Sequence, residues 1–276
     1  WVDYNNDNWK DLIVVGEWTP IKFFKNIEGK LTEDNSMIEE NSTRGWWYDI
    51  VSEDFDNDGD MDLVVGNLGN NYKYQTNGEE TFDIFYNDFD KNNSGDIVLS
   101  YYNNGEQYPL RGRQCSSQQI PAIKTKFKDY DAFSIATLED VYSEPDLENS
   151  LHYSVETFSS VYLENKGNKF IMSSLPPIVQ FSAVNKILKK DIDNDGQTDI
   201  IIAGNMYNSE VETPRNDASV GLFLKYDQNR FIPIPTNESG LFLNGDIKDM
   251  EFIKINKSDY IISAKNDDLI EFTRIK

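Results

Sequence analysis

One acidic nonapeptide recurs four times in the same frame, and it limits the possible folds more tightly than any other part of this chain. It begins at Asp3 (DYNNDNWKD), Asp54 (DFDNDGDMD), Asp88 (DFDKNNSGD) and Asp191 (DIDNDGQTD). Asp stands at positions 1 and 9 of every copy, Asp or Asn at positions 3 and 5, and an Ile/Leu/Val run follows each. Like charges at this spacing repel. Such a segment must either gather a cation or remain a solvated turn, since Asp and Asn favour turns without any metal. A single copy leaves that choice open, whereas four in one frame favour the cation.

The apolar runs after each loop are short, rich in β-branched residues and bounded by Gly, Asn and Asp, which predicts strands. A second element recurs behind them. Residues 21–34, 159–175 and 220–234 each read as strand, polar turn, strand, and suit the outer hairpin of a four-stranded unit whose inner pair flanks the acidic loop. A last unit over 250–276 keeps the strands but replaces the acidic loop with the turn NKSD. Repeats of this length are those of propeller blades. The expected fold is therefore an all-β propeller of four-stranded blades, one domain over 1–276. Its five units fall near 1–45, 46–81, 82–109 joined to 151–178, 179–240 and 241–276. Between them, 110–150 reads as a helical insertion, with Ile120, Ile123 and Phe127 at helical spacing and Pro121 suited to a first turn. Because the chain opens inside a repeat, it is expected to be a piece of a longer protein.

The loops suit Ca²⁺, which takes about 6–8 oxygen ligands that a loop supplies best from alternate positions. The side-chain candidates are Asp3, Asn5, Asp7 and Asp11; Asp54, Asp56, Asp58 and Asp62; Asp88, Asp90, Asn92 and Asp96; and Asp191, Asp193, Asp195 and Asp199. Trp9, Asp60, Ser94 and Gln197, at position 7, would each add a backbone carbonyl. The second and fourth loops carry the full carboxylate set and a turn Gly; the first and third each substitute one Asn for Asp, and Asn8 or Asn93 for the Gly. An EF-hand is excluded, because position 12 (Val14, Val65, Leu99, Ile202) is not Glu and no helix follows. One Cys (Cys115) and one His (His152) supply no nitrogen or sulfur cluster for zinc. Bound calcium would fold the edge of each blade, a structural role.

Acids outnumber bases 48 to 26, for a net charge of −22. That field attracts cations and repels nucleic-acid phosphates, so no nucleic-acid partner is expected. No apolar run approaches the ~18 residues of a membrane-spanning helix.

The acidic loops followed by DLVVGN and DIIIAGN resemble the FG-GAP or VCBS repeats of integrin-α-type calcium-binding propellers. TRGWWYDI, GNLGNN and VETPRNDASVGL further resemble bacterial exported repeat proteins related to the cartilage acidic protein group. The resemblance implies a seven-bladed calcium-binding propeller, secreted, periplasmic or at the cell surface, and used for interaction.

In such a blade the segments after the second strand face away from the calcium loops. Here they hold Glu17 and Trp18, Asn67, Asn70 and Tyr72, Tyr101 and Tyr102, and Asn205, Tyr207 and Glu210. Aromatic rings beside amides and carboxylates suit a carbohydrate or protein ligand. The competing reading is that these rings fill space between blades. Trp46 and Trp47 read as part of a strand entering the second blade, Arg111 and Arg113 as salt-bridged surface groups, and His152 and Cys115 as structural. Two functions stay open. One is a non-catalytic binding module; the other is a polysaccharide lyase or glycoside hydrolase on a propeller scaffold. A polar pocket holding a carboxylate of raised pKa would favour the enzyme.

Overall fold

The computed structural model describes residues 1–38, 40–209 and 213–275. The protein is mostly β, with several four-stranded antiparallel sheets and a short helical insert. It divides into two compact units, residues 1–73 with 158–276, and residues 74–157.

In the first unit two complete four-stranded meanders are present. One runs through Asp49–Glu53, Asp62–Gly66, Val161–Asn165 and Phe170–Ser174; the other through Val184–Lys190, Asp199–Gly204, Leu222–Asp227 and Arg230–Ile234. Two three-stranded sheets accompany them: Leu12–Val14, Lys22–Ile27 and Lys30–Glu33, and Ile247–Ile255, Ser258–Lys265 and Glu271–Arg274. Val2 and Asp11 add an isolated bridge beside the first of these, across the base of its acidic loop.

The strands Asp62–Gly66 and Asp199–Gly204 are buried along their whole length. An apolar run without alternation must be covered on both faces, and it is. Leu63, Val65 and Leu163 pack with Ile13 and Phe23 of the first sheet and with Tyr4 of the loop before it. Val64 and Tyr162 pack on the other side with Ile187, Ile200, Leu224 and Tyr226. Ile201 and Ala203 then meet Ile247, Met250 and Ile261 of the last sheet. Burial on both faces is the physical reason the sheets stack in series.

The two-residue hairpin turns follow from local chemistry. Glu28–Gly29, Gln228–Asn229 and Asn256–Lys257 all have positive φ at both residues, the type I′ form whose twist matches that of the flanking strands.

The unit at 74–157 is a different sheet, ordered Glu106–Pro109, Asp96–Asn103, Phe82–Asn87, Leu151–Val155. Short helices lie between Arg113 and Glu148 as expected, with Ile120, Ile123 and Phe133 buried against Phe85 and Val98. This corrects the expected boundaries in two places. The hairpin 159–175 completes the sheet of 49–66 rather than that of 82–109, since Val161, Tyr162 and Leu163 pair with Val65, Val64 and Leu63. The strand leading into the third loop, Phe82–Asn87, has Leu151–Val155 on its other side, whereas Asp49–Glu53 and Val184–Lys190 are sheet edges. The third loop thus sits in an inserted sheet of another topology.

Arg113 is also corrected. It is buried rather than a surface ion-pairing group; its guanidinium donates to the carbonyls of Phe127 (2.6 Å), Lys128 and Lys124 and lies over the Tyr130 ring. Trp47 is buried as expected, its indole N–H on the Thr43 carbonyl, but it lies between the strands Gly45–Trp46 and Asp49–Glu53 rather than within one. His152 stacks on Phe85 with Nε2 2.7 Å from Asp83, a structural role as expected. Among the described residues no helix is long and apolar enough to cross a membrane.

Candidate metal centres

All four loops adopt one conformation. The N–H at position 5 (Asp7, Asp58, Asn92, Asp195) donates to the side chains at positions 1 and 3, and the N–H at position 6 donates to the second oxygen of position 1. These bonds hold the position 1 and 3 side chains toward the inside of the loop. Position 6 has positive φ in every copy, at Asn8, Gly59, Asn93 and Gly196, so Asn performs the turn that Gly performs elsewhere. Position 4 (Asn6, Asn57, Lys91, Asn194) is also left-handed. The sequence reading missed that position, although Asn in three of four copies was a usable signal. Two of these asparagines link neighbouring loops: Asn6 Nδ2 donates to the Gly59 carbonyl, and Asn57 Nδ2 to Gln197 Oε1.

Carboxylate oxygens of Asp54, Asp56 and Asp58, of Asp88, Asp90 and Asp96, and of Asp191, Asp193 and Asp195 lie within 4.8 Å of one another. The first loop, with Asn5 at position 3, gathers no such triad among the described residues. In the second loop Asp60 Oδ1 is buried with no hydrogen-bond partner. Burial, and next the Asp58 carboxylate, push the Asp60 carboxyl up to about 6; the same two causes raise Asp56. An all-oxygen donor set, converging carboxylates and an orphaned buried oxygen fit a hard divalent cation.

Position 9 does a second job. Asp62 is fully buried; Oδ1 accepts from the Asn165 N–H (2.8 Å), and Oδ2 accepts from the Tyr162 hydroxyl (2.6 Å) and the Phe55 N–H (3.3 Å). Asp11 and Asp199 repeat the pattern with the N–H groups of Asn26 and Tyr4, and of Tyr226 and Ile192. This aspartate ties its loop to the strand that pairs next to its own, the third strand of each unit when the Val2–Asp11 bridge holds the place of the first strand in the first sheet. Burial pushes Asp62 up to about 6, against the hydrogen bonds that lower it.

The residues expected to face a ligand divide sharply. Asn67 and Asn205 are buried and serve the fold. Asn67 Oδ1 accepts from the N–H groups of Trp46 and Leu68; Asn205 Oδ1 accepts from the Ser182 hydroxyl, while its Nδ2 donates to the carbonyls of Ser219 and Gly245. Neither can meet a ligand, which corrects the sequence reading. Trp18 packs edge-on against Trp46 at 5.2 Å, the space-filling alternative. Glu17 is exposed at a two-stranded pairing with Trp46, and Tyr101 lies beside Tyr108 in the inserted sheet; neither lines the pockets described below. Glu210 lies outside the described residues.

Asn70 and Tyr72 do line pockets. One, of about 610 Å³, is bounded by Asn70, Asn71, Ser159, Leu175, Gln180 and Phe181. A second, of about 330 Å³, shares Asn71 and adds Tyr72, Lys73, Arg215 and Asp217; Arg215 lies 4.2 Å over the ring of Tyr207. Both lie at strand ends remote from the first unit's acidic loops, because Asp62–Gly66 runs from its loop to Asn67 and Val161–Asn165 runs back. Gln180 and Phe181, from a short 3₁₀ turn, were not foreseen.

No curated protein matches the sequence. Residues 3–65 match the FG-GAP-like repeat family, a span that takes in the first and second acidic loops and implies propeller blades.

Proposed function

We propose that this chain is a non-catalytic, calcium-stabilised extracellular interaction module that binds a glycan or protein at the end of its sheets remote from the calcium loops. FG-GAP repeat domains are typically binding modules, and the three aspartate triads are consistent with the calcium sites of such repeats. The series of face-packed sheets supports their reading as propeller blades.

One observation carries the choice of a module over an enzyme. The larger pocket presents amides, hydroxyls and the exposed ring of Phe181, and no titratable side chain lines it among the described residues. Acid–base cleavage of a polysaccharide needs carboxylates beside the scissile bond. The carboxyls raised here are loop residues or, for Asp49, a strand residue held by the Ile187 N–H. A ring next to orienting amides instead suits a neutral sugar or a peptide.

Glycan and peptide arrays in millimolar calcium provide the test. Binding should be lost in Phe181→Ala and Asn70→Ala and kept in Tyr101→Ala. Binding indifferent to Phe181 and Asn70 would refute the assigned pocket, and cleavage of a bound polysaccharide would restore the enzyme reading.

A further inference from the structure

The position-9 clasp gives an internal alignment of the third strands. Asn26, Asn165 and Tyr226 each donate their N–H to Oδ1 of the position-9 aspartate, so the residues just before them, Lys25, Glu164 and Lys225, occupy one equivalent place beside their loops. The charge at that place differs from loop to loop.

In the fourth loop the Lys225 ammonium contacts Asp193 and lies 2.7 Å from Asp195. It thus engages two of the three carboxylates whose oxygens converge there. In the first loop Lys25 stands 3.6 Å from Asp7. In the second loop the equivalent residue is an acid. Glu164 holds Lys166 at 2.5 Å, and Lys166 is left 4.0 Å from Asp56.

We infer that this third-strand position ranks the calcium affinities of the first unit's loops, Glu164 making the second the tightest, with Lys225 and Lys25 weakening the fourth and first. The inference rests on the calcium reading of the loops. A cation entering the fourth loop must displace an ammonium from its own ligands, and that ammonium stays within a few ångströms as a like charge. A cation entering the second finds one more carboxylate, which also diverts the nearest lysine. A unit charge about 5 Å from a divalent ion, in near-aqueous surroundings, changes its dissociation constant about tenfold.

Calcium chloride titrated calorimetrically into the chelator-stripped chain tests this. Asp193→Asn and Asp56→Asn identify the binding steps of the fourth and second loops. Lys225→Gln should tighten the step that Asp193→Asn removes by about tenfold, and Glu164→Lys should weaken the step that Asp56→Asn removes by a similar factor. These lysine and glutamate side chains are part-exposed, and a tightening cannot arise from misfolding. If the aspartate variants remove their steps while both charge variants change affinity less than about twofold, the ranking is overturned and the calcium reading stands. If the parent chain binds no calcium, both fall together.

Discussion

Replacing Asp62 with Ala separates the two jobs of the repeated aspartates. Asp62 accepts three hydrogen bonds in a fully buried position, from the Tyr162 hydroxyl, the Asn165 N–H and the Phe55 N–H. Alanine leaves all three donors without that acceptor. Each bond to a charged acceptor is worth about 1.5–3 kcal/mol. Against that loss, the variant no longer buries a carboxylate whose ionisation is already disfavoured, pushed up to about 6. The 3.3 Å bond is the weakest of the three, so the net cost should be about 3–4 kcal/mol, a large part of a typical folding free energy. The assay is urea unfolding followed by tryptophan fluorescence, in excess EGTA so that no metal contributes. Asp56→Ala, run alongside, should cost little in EGTA, because Asp56 lies among like charges. A loss below about 1 kcal/mol for Asp62→Ala in EGTA would refute the clasp.

Further outcomes can be stated briefly. Gly204→Ala places a methyl group 1.8 Å from the Ala183 carbonyl oxygen, so the adjoining segment must move and the cost should exceed about 3 kcal/mol in urea unfolding. Arg113→Lys keeps the charge but loses the fork that serves the Phe127 and Lys128 carbonyls; we expect about 2 kcal/mol of destabilisation, read by hydrogen exchange at residues 113–130. Burial holds the Asp49 carboxyl above the usual range, so the folded state binds that proton more tightly than the unfolded one. Its contribution to stability is complete below about pH 4 and is lost as pH rises through the raised pKa. Asp49→Asn should therefore flatten the fall in melting temperature from acid to neutral pH, and an unchanged profile would contradict this.

What the sequence disclosed was local. The loops, their common frame, the hairpins and the helices between 113 and 148 are each set by residues a few positions apart. Partners distant along the chain were not legible. Nothing in VYLEN specifies that it pairs with DLVVG about a hundred residues earlier rather than with the nearer Phe82–Asn87, since alternation fixes the face of a strand but not its neighbour. The third loop passed as an equivalent repeat for the same reason: its motif is local, its sheet topology is not.

At the site, the converging carboxylates at positions 1, 3 and 5 of the second and fourth loops were readable from alternation alone; in the third loop the third converging carboxylate is Asp96, at position 9. The clasp by Asp62 was not, because an aspartate opening an apolar strand looks like one more ligand. The apolar residue at position 2 (Tyr4, Phe55, Phe89, Ile192) was the available clue, placing a core side chain within each loop. Asn67 and Asn205 misled in the opposite sense. Polar residues after a strand usually reach solvent, but here Gly66 lets the next sheet's backbone approach at Val184, Gly204 lets the irregular start of its own sheet's first strand approach at Ala183, and the asparagines are sealed beneath.

The central claim is that the acidic loops are structural calcium sites. Thermal unfolding in millimolar calcium against excess EGTA, with Asp56→Ala and Asp193→Ala beside the parent chain, tests it most directly. Several ions at about tenfold over their dissociation constants, each adding about 1.4 kcal/mol, should raise the melting temperature by about 5–10 °C, and both variants should blunt the rise. A melting temperature indifferent to calcium in all three chains would contradict the claim and leave the loops as plain acidic turns.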